Sequence, residues 1–191
     1  TDAHLINRDL QNFKFLQTGC TKVQVESMPR TLPGGDVILR VRNSPESGSW
    51  SSLWVAVFKE TGLTRVAREL AKGDEIYVCG SMKYWSNLGL VLHLEKFAIM
   101  KLAEVTVVKN PKCPRCGARM KSSGRNKGWK CIKCGYRTKE AEKEVLYVRR
   151  KVKEGIYVPK DSAIKHLTKP AQRYGREKLC TPTEPKGKWI C

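Results

Sequence analysis

The chain has 191 residues, 40% of them hydrophobic, and a formal charge of +19 from 37 Lys and Arg against 18 Asp and Glu. That length can bury one full core and one smaller stapled module, while no apolar run approaches membrane-spanning length and the first residues do not read as a signal peptide. The charge is one-sided: residues 1–108 hold 13 basic and 11 acidic side chains, and residues 109–191 hold 24 and 7.

Residues 1–12 read as a linker, and residues 13–104 as a barrel. Strand patterns fall at Phe13–Val25, Asp36–Arg42, Leu53–Phe58, Glu75–Cys79 and Leu88–Met100. Val37, Leu39 and Val41 alternate with Ile38, Arg40 and Arg42, and Leu90, Leu92 and Leu94 repeat the period of two. Pro33-Gly34-Gly35 marks the turn between the first two strands. Between the third and fourth strands the spacing of Leu63, Val66, Ala67 and Leu70 predicts one short helix, capped by Thr61 and ended by Gly73. Five strands with a helix between the third and fourth is the order of an OB-fold, a small barrel that binds oligonucleotides on its second and third strands. Arg40, Arg42 and Trp54 then stand where a basic groove with a stacking ring would track a nucleic-acid backbone; Trp54 serves equally well as core. His93 reads as a surface or packed histidine.

Residues 109–139 form the second module. Cys113-Pro-Arg-Cys116 and Cys131-Ile-Lys-Cys134 are separated by fourteen residues, a spacing that lets two tight turns grip one tetrahedral, closed structural zinc. Gly117 and Gly135 follow the second cysteine of each pair, where positive φ lets the backbone curl around the sulfur. Two disulfides or a redox pair fit the duplicated spacing less well. A fully ligated zinc leaves no position for substrate, so the metal is a scaffold. The remaining cysteines, Cys20, Cys79, Cys180 and Cys191, read as unpaired singles, as suits a reducing compartment, with Cys79 a small buried hydrophobe.

A lysine-rich solvated surface could account for a modest excess of charge, but this magnitude points to nucleic acid. Membrane binding is disfavoured because no basic amphipathic helix or lipidation motif is present. Arg115, Arg119, Lys121, Arg125, Lys127, Lys130, Lys133 and Arg137 surround Trp129 and Tyr136; the rings are either ribbon core or stacking surfaces, and Trp129 is taken as a candidate contact. The polar loop 122–128 suits close approach to a phosphate backbone. A basic extension, residues 140–191, adds Arg149, Arg150, Lys165, His166 and Lys169 as candidate contacts.

The segment running from Asn110-Pro-Lys-Cys-Pro-Arg-Cys-Gly to Gly128-Trp-Lys-Cys131, with Gly155-Ile-Tyr-Val-Pro159 and His166-Leu-Thr-Lys-Pro170 downstream, resembles the C-terminal part of archaeal isoleucine tRNA agmatinylcytidine synthetase. The resemblance implies a ligase that uses ATP to activate the wobble cytidine of a CAU anticodon and joins agmatine to it, so that the tRNA reads AUA. It also implies kinase-like and ferredoxin-like domains upstream that use ATP and agmatine, and a tRNA partner; a cytoplasmic setting is expected instead from the cysteines, which stand as metal pairs and loose singles. Thr1-Asp-Ala-His-Leu5 resembles the seam after the catalytic portion, although methionine removal would also leave Thr first. No phosphate-cradling loop or nucleophile elbow is present, so no residue here is read as catalytic. The alternative is a free-standing OB-fold and zinc-ribbon protein that binds RNA or single-stranded DNA.

Overall fold

The computed structural model describes residues 4–43, 51–125, 127–164 and 175. Strands β1 (Thr18–Val25), β3 (Val37–Asn43), β4 (Ser52–Val57), β5 (Glu75–Trp85) and β6 (Gly89–Lys101) form a mainly β barrel, with a two-residue β2 (Arg30–Thr31) beside β3. Closure follows from the pairings: β1 with β5, β5 with β6, β6 with β4, β4 with β3, and β3 back to β1. Of these five pairings only β4–β6 is parallel. The inward residues Leu39, Val41, Val55, Val57, Ile76, Val78, Leu92 and Leu94 share one core, as the alternation requires.

Several boundaries move for local reasons. Phe13 was expected inside the first strand. Instead a 3-10 turn, Leu10–Asn12, sends Leu10 and Phe13 into the core, and β1 begins only at Thr18. The fourth strand runs on from Cys79 to Trp85, because Tyr84 and Trp85 pair with Leu90 and Gly89 in a long hairpin. The helix is a single turn, α1 (Thr64–Ala67), preceded by a 3-10 turn at Lys59–Thr61. Thr61 is not the helix cap expected from the sequence: Leu63 is the N-cap, with no side-chain cap bond, and the Thr61 hydroxyl oxygen accepts from the Leu63 N–H at 3.1 Å within the turn before it.

The N-terminal segment is joined to the barrel. Asn7 bridges Cys20, the Arg8 N–H donates to the Cys20 carbonyl, and His4 meets the buried carboxylate of Glu95 at 3.0 Å. Cys20 and Cys79 are not the unpaired residues expected from the sequence. Their register sets them opposite one another on β1 and β5, and they form a disulfide.

After β6 the chain leaves the barrel through β7 (Thr106–Lys109) and builds a three-stranded ribbon from β8 (Lys121–Ser122), β9 (Trp129–Lys130) and β10 (Arg137–Thr138). It returns through β11 (Glu144–Tyr147), antiparallel to β7, and then β12 (Gly155–Tyr157), which pairs with β6. The stretch expected as an extension therefore supplies a stem strand and a barrel-edge strand, and the zinc ribbon is carried on an excursion from the barrel. No helix among the described residues is long and apolar enough to cross a membrane.

Candidate nucleic-acid interface

The two knuckles are built alike. In the first, Cys113 N–H donates to Ala118 O at 2.8 Å and Gly117 N–H to Cys113 O at 2.9 Å; in the second, Cys131 N–H donates to Tyr136 O at 2.8 Å and Gly135 N–H to Cys131 O at 3.0 Å. Gly117 and Gly135 have φ of 69° and 76°, the curl that the sequence anticipates. These turns bring the Sγ atoms of Cys113, Cys116, Cys131 and Cys134 within 4.8 Å of one another. Cys113–Cys134 and Cys116–Cys131 stand at 3.5 and 3.4 Å, close to the roughly 3.8 Å edge of a tetrahedron with Zn–S of about 2.3 Å. The set therefore fits a structural zinc, which would supply folding energy to the ribbon. The Cys134 backbone N–H, the largest influence, helps to hold the Cys131 thiol down to about 6, whereas Cys134 is raised to about 12: the Tyr136 backbone N–H lowers it, but burial and the thiols of Cys113, Cys131 and Cys116 outweigh that, so binding of the ion itself would have to deprotonate the full set.

Trp129 and Tyr136 pack with Met120, Cys113 and Cys131 as the small ribbon core. Their outer faces stay accessible, and the Arg115 guanidinium lies 5.0 Å from the Tyr136 ring centre. Register then organises the cations. Lys130 on β9 stands directly opposite both Lys121 on β8 and Arg137 on β10, so three positive side chains cross one face of the ribbon in a row. Like charges opposed in a sheet repel, and an anion laid across them would relieve that repulsion. Arg125, Lys127 and Lys133 are exposed nearby.

On the barrel, Arg40 and Trp54 are opposed on β3 and β4. The Trp54 ring carries two guanidiniums, Arg30 at 5.3 Å and Arg40 at 5.6 Å, a cation–π arrangement. Arg40 is oriented by Glu26 at 3.0 Å. Trp54 also packs on a second apolar cluster outside the barrel, with Ile38, Ala56, Val91, Phe58 and Trp85, so both sequence readings of this ring describe part of its environment. Trp85 donates to His93 Nε2 at 2.8 Å, and Phe58 meets the same imidazole edge-on. Sequence reasoning missed Arg30, Phe58 and Trp85; the bracketing strand pattern was the available signal for the two aromatics.

Other candidates stand apart from these surfaces. Arg42 donates twice to Gln24 Oε1, at 3.0 and 2.6 Å. Arg119 is paired with Glu144 at 2.7 Å. Arg150, taken as an RNA contact, is bound to Asp74 at 2.7 Å with its side chain only 14% exposed, because the fold places it against a fully buried carboxylate. Arg149 is exposed. Lys165, His166 and Lys169, with Cys180 and Cys191, lie outside the described residues.

A family model described as the TiaS C-terminal zinc ribbon domain matches residues 110–152. The chain is 40% identical to the isoleucine tRNA 2-agmatinylcytidine synthetase TiaS of Ignisphaera aggregans over 178 residues, 93% of this chain and 37% of that protein. Over almost its whole length, this chain is homologous to the isoleucine tRNA 2-agmatinylcytidine synthetases. The synthetase of Staphylothermus marinus is 41% identical over 187 residues, 96% of this chain and 40% of that protein. Among solved synthetase structures, the complex of TiaS with its isoleucine tRNA and ATP matches all of this chain and 40% of that chain, with a TM-score of 0.73 and 34% identity. Apo TiaS matches with a TM-score of 0.68 and 35% identity, covering 100% of this chain and 41% of that one. The chain thus spans about two fifths of the length of these relatives.

Proposed function

We propose that this chain is the tRNA-holding part of an ATP-dependent ligase that joins agmatine to the wobble cytidine of isoleucine tRNA, so that it reads AUA codons in the cytoplasm. The observation that carries this reading is the match of the whole chain, at 34% identity, to the C-terminal portion of a synthetase solved with its isoleucine tRNA and ATP. The row Lys121–Lys130–Arg137 supports it independently, since opposed cations on a small ribbon are suited to phosphate. In this reading the chain's own residues bind and orient. Zinc held by Cys113, Cys116, Cys131 and Cys134 fixes the ribbon; the row and Arg125, Lys127 and Lys133 meet the backbone; and Trp54, beside Arg30 and Arg40, adds an aromatic ring to a basic surface on the barrel. ATP and agmatine are handled by kinase-like and ferredoxin-like domains upstream. A base-modifying enzyme must unstack its target at a cost of a few kcal/mol, which contacts held elsewhere on the tRNA offset.

The free-standing RNA or single-stranded DNA binder is the weaker reading, because the relatives that share this segment are synthetases. Incorporation of radiolabelled agmatine into the CAU-anticodon isoleucine tRNA with ATP separates the two. The isolated 191 residues should give none, and the same residues continuous with the upstream catalytic portion should give incorporation, since tethering makes delivery of the anticodon intramolecular. Incorporation by the isolated chain, or none by the continuous protein, would contradict the proposal.

A further inference from the structure

The zinc ribbon stands on a stem that does not fix its pose by packing. All four residues of β7 are exposed, as are three of the four in β11, with Val108 55%, Val145 56% and Tyr147 73% accessible. A lone two-stranded ribbon is marginal in water. Something other than the stem's own faces must set the angle between ribbon and barrel.

Each end of the stem is closed by an arginine–carboxylate pair. At the barrel end Asp74 is fully buried in the turn before β5, and its carboxylate accepts from Ala71 N–H at 2.8 Å, Ala103 N–H at 2.8 Å, Arg150 Nη1 at 2.9 Å and Arg150 Nη2 at 2.7 Å. The same guanidinium donates to the carbonyls of Ala103 at 3.1 Å and Glu69 at 2.7 Å. Ala103 lies on the outgoing limb and Arg150 on the returning one, so one carboxylate ties both limbs to the barrel. Val152, two residues on, enters the barrel core. At the ribbon end Arg119, beside the first knuckle, pairs with Glu144 of β11 at 2.7 Å and donates to Asn110 O at 2.6 Å.

We propose that Asp74–Arg150 and Glu144–Arg119 are positioning pairs, which hold the zinc ribbon and the barrel as one body so that their basic surfaces meet a single RNA together. At Asp74–Arg150 the bidentate geometry of guanidinium on carboxylate gives the joint its angle as well as its strength. Two surfaces held at a matched separation act on one polyanion with a high effective concentration, an advantage that is lost when the link swings freely. The effect on affinity rests on the proposed tRNA function; the rigidity does not.

Two measurements on the zinc-loaded chain test the inference. In 15N relaxation, barrel and ribbon amides should share one rotational correlation time, whereas in Asp74→Asn and in Arg150→Lys the ribbon should tumble faster than the barrel. In binding, Asp74→Asn should weaken affinity for the isoleucine tRNA by on the order of tenfold, although it makes the chain more positive by one charge. Arg150→Lys should weaken it too, although a lysine could still meet a phosphate. Independent tumbling in the native chain, or unchanged or tighter binding by Asp74→Asn, would overturn the proposal. Should either barrel-end variant fail to fold, Glu144→Gln at the half-exposed ribbon end carries the same two expectations. A native chain that binds no tRNA would sink the tRNA reading, and relaxation would still decide the positioning role.

Discussion

Arg119 and Arg150 illustrate how little a cation's identity says about its task. In the sequence each is one more positive charge in a basic half; in the fold each is committed to a carboxylate, Glu144 or Asp74. Composition reports net charge and is blind to a partner 76 residues away. Cys20 and Cys79 were hidden for the same reason, since a disulfide between neighbouring strands depends on register that no local spacing encodes. Its consequence is measurable. Closing a loop of 59 residues removes denatured-state entropy worth about 4 kcal/mol in the simple chain model. Replacing both cysteines with Ala should lower the barrel's denaturant midpoint accordingly, and a shift near zero would show that this bond contributes little.

At the scale of elements, the doubled C-x2-C was fully legible, because ligand spacing and the following glycine are short-range requirements of one tight turn. The barrel strands were legible through their period of two. What escaped was the return path: β12 has three residues and pairs with β6, a contact across more than fifty positions that periodicity cannot reveal. The helix shrank to one turn because the short corner between β4 and β5 also holds a 3-10 turn and the Asp74 turn. Ribbon and barrel differ in what holds them. The ribbon core consists of Met120, Ala118, two aromatic rings and three of the ligand cysteines, Cys113, Cys116 and Cys131, so its folding depends on metal. Cys131→Ser should abolish the one bound zinc per chain and collapse the ribbon's amide dispersion while the barrel resonances persist. Metal analysis finding no zinc in native protein purified without chelator would refute the scaffold assignment.

For the molecule as a whole, RNA affinity in the proposed function is the joint product of two basic surfaces held in fixed relation, with chemistry supplied by other domains. The charge asymmetry points to a nucleic-acid partner but cannot point to a surface, since exposed and ion-paired arginines weigh equally in a count. The most direct test is the salt dependence of binding to the CAU-anticodon isoleucine tRNA, measured by filter retention for the native chain, for Lys121→Ala/Lys130→Ala/Arg137→Ala, and for Lys59→Ala/Arg65→Ala/Lys72→Ala on the helix side of the barrel. Each lost phosphate contact removes close to one unit from the log–log slope. The ribbon triple should therefore bind less tightly with a slope flattened by about two to three units, while its ribbon melts no lower, because three opposed charges have been removed. The barrel triple should stay near the native slope. Equal losses from both triples, or a native chain that does not bind this tRNA, would contradict the account.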